Sequence, residues 1–340
     1  MSNRKIVYVG FAFTHHKGTH AGYQQIRDHV PYDMIVDTQK YIEKHLYQKK
    51  NTGVKLFGEK VCLKLFNARC VPYWILKCMF YSLLHKNTVF HFIYSESLFL
   101  PFRRFIFRGA KAVCTVHQPI EVLEKWKLTK GLKRADTIIL VGNQELNAFK
   151  LITGRDNVYY IPHGISSDFY KPEMNVKKKH ILLTVGSWLR DYNFANLVYQ
   201  KLLELDKDIE IKVVTNPQNR DLITANKRIS FLTGITDEQL KELYLESSVL
   251  FLPLIRYTAN NSLLEAGACG CNIVIASDFP DNSYIPERMV TLCPMDVMCA
   301  VNSIIRSMTN KYNTELATYV DSKYSWATIG QETHQLLMSI

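Results

Sequence analysis

Asn260-Asn-Ser-Leu-Leu-Glu265-Ala-Gly-Ala-Cys-Gly270-Cys-Asn-Ile-Val-Ile-Ala276 reads as a helix, a tight return and a buried strand. The helix is expected to open near Asn261 or Ser262, where its free N–H groups and positive dipole end would face an anion. Gly270 permits the helix-to-strand return, and Ile273 to Ala276 is a short apolar run typical of a covered parallel strand. Glu265 stands one turn into the helix.

The same alternation runs outward in both directions. Upstream, Gln239 to Ser247 is helical in pattern and Val249 to Leu252 is a strand; Ile229 to Phe231, Ile209 to Val214 and Ile181 to Val185 precede them. The first half repeats the pattern with strands at Lys5 to Gly10, Thr88 to Ile93, Ala112 to Val116, Thr137 to Val141 and Val158 to Ile161. The last segment, Tyr324 to Ile340, is helical in pattern. Strands alternating with helices imply a parallel α/β sheet. With 340 residues and 47% apolar content, two such domains are expected. The polar stretch Ser166 to Lys179, with Pro172 and three consecutive lysines, reads as the linker. The expected organisation is therefore a Rossmann-like domain over 1–165, a second over 166–323, and a final helix over 324–340. Ligands of such sheets bind beyond the carboxyl ends of the strands, in a cleft between the domains.

Several function classes are disfavoured by composition. Met1 to Lys5 runs straight into a strand instead of a leader. The longest apolar stretch, Val71 to Leu84, contains Lys77 and is too short to span a bilayer. The eight cysteines show no CxxC pair and no zinc spacing, as in a reduced cytoplasmic protein. Asp206-Lys-Asp208 reads as ordinary surface helix and not as a convincing DxD motif. Charge is unevenly shared: residues 1–170 hold 25 Lys+Arg and 12 Asp+Glu, net +13, while residues 171–340 are net −2. The first half is thus expected to face something anionic. No nucleic-acid-binding motif accompanies that charge. The basic residues interleave with bulky apolar ones in Leu98 to Arg108 and Tyr73 to Tyr81, which suits an anionic membrane surface; a core helix with a solvated basic edge fits equally.

Three further loops draw notice. Gly18 and Gly22 lie in the loop after the first strand, either a backbone cradle for phosphate or sugar oxygens or a structural turn. His117 follows the strand ending at Val116, where a histidine meets the expected cleft, although a lone histidine is often structural. Tyr160-Ile-Pro-His-Gly164-Ile-Ser-Ser-Asp-Phe169-Tyr-Lys-Pro172 is a strand followed by a tight turn.

Together these segments resemble glycosyltransferase family 4, the retaining group of GT-B fold. The Ile161 to Pro172 segment is similar to its interdomain hinge, with His163 where Asn is usual. Leu264 to Ala276 resembles its "LEAmAxGxPVIA" element; Ala135 to Asn143, Leu183 to Tyr192 and Tyr324 to Trp326 match further strands and the start of its last helix. The resemblance implies a nucleoside diphosphate sugar as donor and a glycan or lipid-linked acceptor, without a metal or other cofactor. It places the diphosphate on the amides of Asn260, Asn261 and Ser262, the ribose hydroxyls on Glu265, and Gly186 and Gly18 at the donor. His117 would lie near the sugar. The departures are specific. Tyr257 stands where the family often has a sugar-contacting Glu, and Ser187 and Tyr192 stand where it has Arg and Lys. Arg190 is the nearest cation and would serve on the diphosphate, or form a surface salt bridge. A GT-B nucleotide-sugar 2-epimerase or a non-catalytic nucleotide-binding relative would share most of these features.

Overall fold

The computed structural model describes residues 4–13, 16, 18–44, 73–100, 109–278, 285–309 and 311–340. Of the basic-apolar stretch Leu98 to Arg108, only Leu98 to Leu100 fall among them. The chain forms two compact units: one of the described residues up to Gly18 with Gly22–Pro162 and Ile329–Ile340, the other of Thr19–Ala21 and His163–Thr328.

Unit 1 holds a six-stranded parallel sheet of β1 (Lys5–Gly10), β2 (Met34–Asp37), β3 (Thr88–Phe92), β4 (Lys111–Val116), β5 (Thr137–Leu140) and β6 (Val158–Tyr160). The spatial order is β2-β1-β3-β4-β5-β6. Among its longer helices are α1 (Tyr73–Leu84) and α2 (Leu146–Thr153). Unit 2 holds a second parallel sheet of β7 (Lys179–Val185), β8 (Glu210–Val214), β9 (Ile229–Leu232), β10 (Ser247–Pro253), β11 (Asn272–Ala276) and β12 (Thr291–Cys293), in the order β12-β11-β10-β7-β8-β9. Its longer helices are α3 (Tyr192–Leu205), α4 (Asp237–Glu246), α5 (Asn261–Ala268), α6 (Val297–Ser307) and α7 (Thr314–Tyr324). The last helix, α8 (Trp326–Ser339), starts in unit 2 and gives its residues from Ile329 onward to unit 1. No described helix is long and apolar enough to cross a membrane.

The unbroken apolar strands of unit 2 follow from burial on both faces. Leu250 and Leu252 of β10 pack with Ile273 and Ile275 of β11 in one core. Their neighbours Val249, Phe251, Val274 and Ala276 face the other core. Helix starts are set by capping side chains: Asp191 accepts from the Phe194 N–H, Thr236 forms a capping box with Gln239, and Asp296 accepts from the Cys299 N–H.

Three sequence expectations need correction. Ser166 to Lys179 is no free linker: Tyr170 and Lys178 within it are buried, and the Lys178 ammonium donates to the Tyr244 carbonyl at 2.9 Å. Tyr324 to Ile340 is not one helix: α7 ends at Tyr324 and α8 starts at Trp326, and Ile165 bridges the break at Ser325, its N–H donating to the Tyr324 carbonyl and its carbonyl accepting from the Trp326 N–H. Asp206 is the C-cap of α3, bonded to His180, and not mid-helix surface. Gly164 is required where the chain re-crosses here, because a Cβ there would lie 2.3 Å from the Trp326 ring.

Candidate functional site

Each sheet has one place where successive strands stop adding to one side and start on the other. In unit 2 it lies between β7 and β10, and beyond the carboxyl ends of neighbouring strands at such a reversal a crevice opens. Two segments follow these strand ends: the loop Gly186–Asp191 after β7, and Leu254 to Asn260 leading from β10 into α5.

The first loop is held in an uncommon shape. Gly186 has φ 104°, and Leu189, which has a side chain, has φ 55°. The left-handed conformation costs a non-glycine residue about 1 kcal/mol or more. Cross-loop bonds offset it: the Ile255 N–H donates to the Leu189 carbonyl at 3.1 Å and the Asp191 N–H to the Pro253 carbonyl at 3.0 Å. Tyr192 is buried, and its hydroxyl donates to the Gly186 carbonyl. Tyr192 therefore braces the loop from behind and does not present a polar group to the crevice.

The shape aims Arg190. Its Nη2 donates to Asn260 Oδ1 at 3.0 Å and to Ser262 Oγ at 3.1 Å, Nη1 to the Trp188 carbonyl at 3.1 Å, and Nε to the Val185 carbonyl at 3.4 Å. All four acceptors are neutral, and no carboxylate among the described residues pairs with this guanidinium. Burial pulls its pKa down to about 10, which leaves it charged at neutral pH. The alternative of a surface salt bridge is thus not what the structure contains.

Asn260 is the N-cap of α5 and is 2% exposed. Its Oδ1 takes three donors: Arg190, the Ser262 hydroxyl at 2.8 Å and the Leu263 N–H at 3.3 Å. Three donors on one atom fix the orientation of the amide. The Nδ2 is then left as a buried donor with no partner among the described residues. The first N–H groups of α5, on Asn261 and Ser262, are orphaned by helix geometry. Cation, helix N-terminus and buried amide form a cluster with more donors than acceptors.

One turn on, Glu265 is 4% exposed and accepts from the Tyr244 hydroxyl at 2.8 Å. Burial raises its pKa to about 7; the Tyr244 bond lowers it and the charge of Asp237 raises it. Tyr257 is 8% exposed within the apolar core of this unit. Gly186, Arg190, Asn260, Asn261, Ser262 and Glu265 are thus brought together, while Gly18 and His117 belong to unit 1.

Gly18 there is exposed with φ 71°, and a Cβ would meet nothing within 4 Å. His117 follows β4. Its Nε2 lies 2.7 Å from the Ile93 carbonyl, and its ring packs edgewise on Tyr23 and tilted on Tyr94. Burial lowers its pKa to about 4, so the neutral ring donates from Nε2. Two buried carboxylates that sequence reasoning missed hold this loop. Glu96 accepts from the N–H groups of His117 and Gln118, and Glu145 accepts from the Ile120 N–H at 2.9 Å. Burial raises Glu96 to about 7. The available signal was Tyr94-Ser-Glu96, a carboxylate just past the carboxyl end of a strand.

No protein-family profile and no curated protein matches the sequence. Solved structures do match the whole chain. Sucrose-phosphate synthase from Thermosynechococcus elongatus superimposes with a TM-score of 0.68 at 15% identity over 99% of both chains. Anabaena HepE in complex with UDP-glucose gives 0.69 at 15% identity, over 99% of this chain and all of that one. TarM gives 0.63 at 10% identity over 78% of this chain and 58% of its own. Two parallel six-stranded sheets in two units, matched end to end by the sucrose-phosphate synthase and HepE structures, define the GT-B fold. That is the fold the sequence pattern led us to expect.

Proposed function

We propose that this protein is a retaining glycosyltransferase that moves a sugar from a nucleoside diphosphate sugar to a hydroxyl of a glycan or lipid-linked glycan. The observation that carries the proposal is the half-buried Arg190 guanidinium, which has neutral partners only and stands beside the orphan Nδ2 of Asn260 at the start of α5. A desolvated cation without a counter-ion is costly, and a phosphate satisfies all three donor sets at once. HepE, which shares the fold, was solved with UDP and with UDP-glucose.

In this reading the crevice of unit 2 holds the donor. Arg190 and the amides of Asn261 and Ser262 bind the diphosphate and stabilise the charge that grows on it as the glycosidic bond breaks. Glu265, as the carboxylate, accepts the ribose hydroxyls. Unit 1 takes the acceptor, and His117 serves there as a neutral hydrogen-bonding group. The chemistry supplied by these residues needs no metal. A cytoplasmic role in polysaccharide or glycoconjugate synthesis follows from this donor and acceptor pair.

Thermal unfolding with UDP, GDP, dTDP and ADP, each with and without its sugar, tests the donor site. A ligand bound only by the native state raises stability by mass action, about 2.7 kcal/mol at a hundredfold excess over Kd. At least one nucleotide should raise the melting temperature; none doing so would remove the proposal. Turnover that requires an added acceptor separates transfer from epimerisation and from binding alone.

A further inference from the structure

Helix α1 is apolar on every side, yet only one side is covered. Trp74, Ile75, Cys78 and Ser82 are buried, and Trp74 packs on Tyr41 and Phe92. At 100° per residue those four fall within an arc of roughly 100°. Tyr73, Leu76, Met79, Phe80, Leu83 and Leu84 fill the opposite arc. They are exposed, from 38% at Met79 to 80% at Tyr73. A helix that is hydrophobic all round belongs inside something. Ile35 is also exposed, and its carbonyl lies 3.4 Å from Lys77 Nζ, so the apolar surface continues from α1 onto β2.

Along the helix the charges have one sign; the acids nearest the surface, Asp33 and Asp37, flank Ile35 on β2, and Asp33 is paired with Lys5 at 2.7 Å. Tyr73 to Lys86 contains no Asp or Glu. Lys77, exposed, borders the apolar arc, and Lys86, exposed, follows the end of the helix. The first half of the chain is net +13. Two copies meeting through this face would bring two basic units together and repel. An anionic bilayer meets both requirements, since acyl chains take the apolar side chains and headgroups take the ammonium groups.

We propose that the exposed face of α1 docks onto an anionic lipid bilayer, with Phe80, Leu83 and Leu84 entering the boundary between headgroups and acyl chains. Lys77 reaches back along its stem to the phosphates, and Tyr73 lies at the polar level with its hydroxyl wet. The helix lies in the plane of the interface and does not cross it. This surface is separate from the donor crevice, so its failure leaves the nucleotide proposal standing.

Co-flotation of the full chain with vesicles tests it, using phosphatidylcholine alone and phosphatidylcholine mixed with phosphatidylglycerol. Binding is expected to the mixed vesicles only, and to weaken as salt shortens the Debye length from about 10 Å at 0.1 M to about 3 Å at 1 M. Leu76→Glu with Leu83→Glu should lower the partition coefficient at least about tenfold by placing carboxylates in the face. Leu151→Glu, a charge introduced at an exposed leucine of α2, should not change it. An unchanged melting temperature in each variant shows that the fold is intact. Equal binding to neutral vesicles, no binding to either kind, or equal binding of wild type and the α1 variant would each overturn the proposal. Self-association lost in the α1 variant, with no vesicle binding, would give the face to a second copy instead.

Discussion

Glu265→Gln should make the ligand-free protein lose less stability than wild type as pH rises. The Glu265 carboxyl is 4% exposed, and its pKa is raised from 4.5 to about 7, chiefly by burial. Because the folded-state value lies above the unfolded one, the contribution of the neutral acid is complete below pH 4.5. It is lost as pH rises through 7. Between pH 5 and pH 8 this single group should remove about 2.5 kcal/mol of stability, at 1.36 kcal/mol per tenfold change in proton affinity. Glutamine keeps the shape and still accepts from the Tyr244 hydroxyl, but it does not ionise. Urea unfolding of both proteins at intervals across this range reads the difference directly. The comparison cancels Glu96, also raised to about 7, and His117, lowered to about 4, which both proteins share. The same proton governs ligand affinity with the opposite sign. If ribose hydroxyls need the carboxylate, nucleotide affinity in wild type rises about tenfold from pH 6 to pH 8 and stays flat in the variant. A stability difference that does not change with pH would refute the buried acid. A wild-type affinity that does not change with pH would refute its role at the ribose.

Arg190→Met should weaken nucleotide binding by about 10- to 100-fold, the worth of charged hydrogen bonds to phosphate, measured by titration calorimetry. The nucleotide-free melting temperature should hold or rise, since a desolvated and unpaired charge has been removed; unchanged affinity would exclude Arg190 from the diphosphate. Gly164→Ala should destabilise the protein by about 1–3 kcal/mol through overpacking, because the new Cβ falls 2.3 Å from the Trp326 ring; a wild-type melting temperature would contradict the packing described.

Ten of the twelve strands were legible as apolar runs, most of them because they are covered on both faces; the edge strands β6 and β9 are only partly buried but still carry apolar runs. The two that escaped, Met34–Asp37 and Thr291–Cys293, are short and lie at sheet edges, where only part of each strand needs to be apolar. The candidate site was half legible. The helix start at Asn261 and the nearby Arg190 could be read from local residue types. The partnership of Arg190 with Asn260, 70 residues away, could not, because sheet order rather than sequence spacing joins the ends of β7 and β10. Tyr192 occupies a family cation position, and only packing shows it turned inward to the Gly186 carbonyl. Glu265 was legible as a carboxylate near a helix start, but its raised pKa arises from burial, which the fold imposes and which the hydrogen bond from Tyr244, 21 residues upstream, only partly offsets. Glu96 and Glu145 drew no notice in the sequence, because only the fold buries them against the loop that carries His117.

Helix α5 also sets the terms on which this protein could be redesigned. Every residue from Ser262 to Ala268 is buried, and a Cβ on Gly267 would come within 3.2 Å of Val320. A library aimed at α5 would mostly return unfolded variants, whatever ligand it sought. Trp188 and Ile255, on the two loops beside it, are more than half exposed. Changes at these two positions leave the core undisturbed, so in an engineering campaign the helix is the chassis and the two loops are the tunable parts.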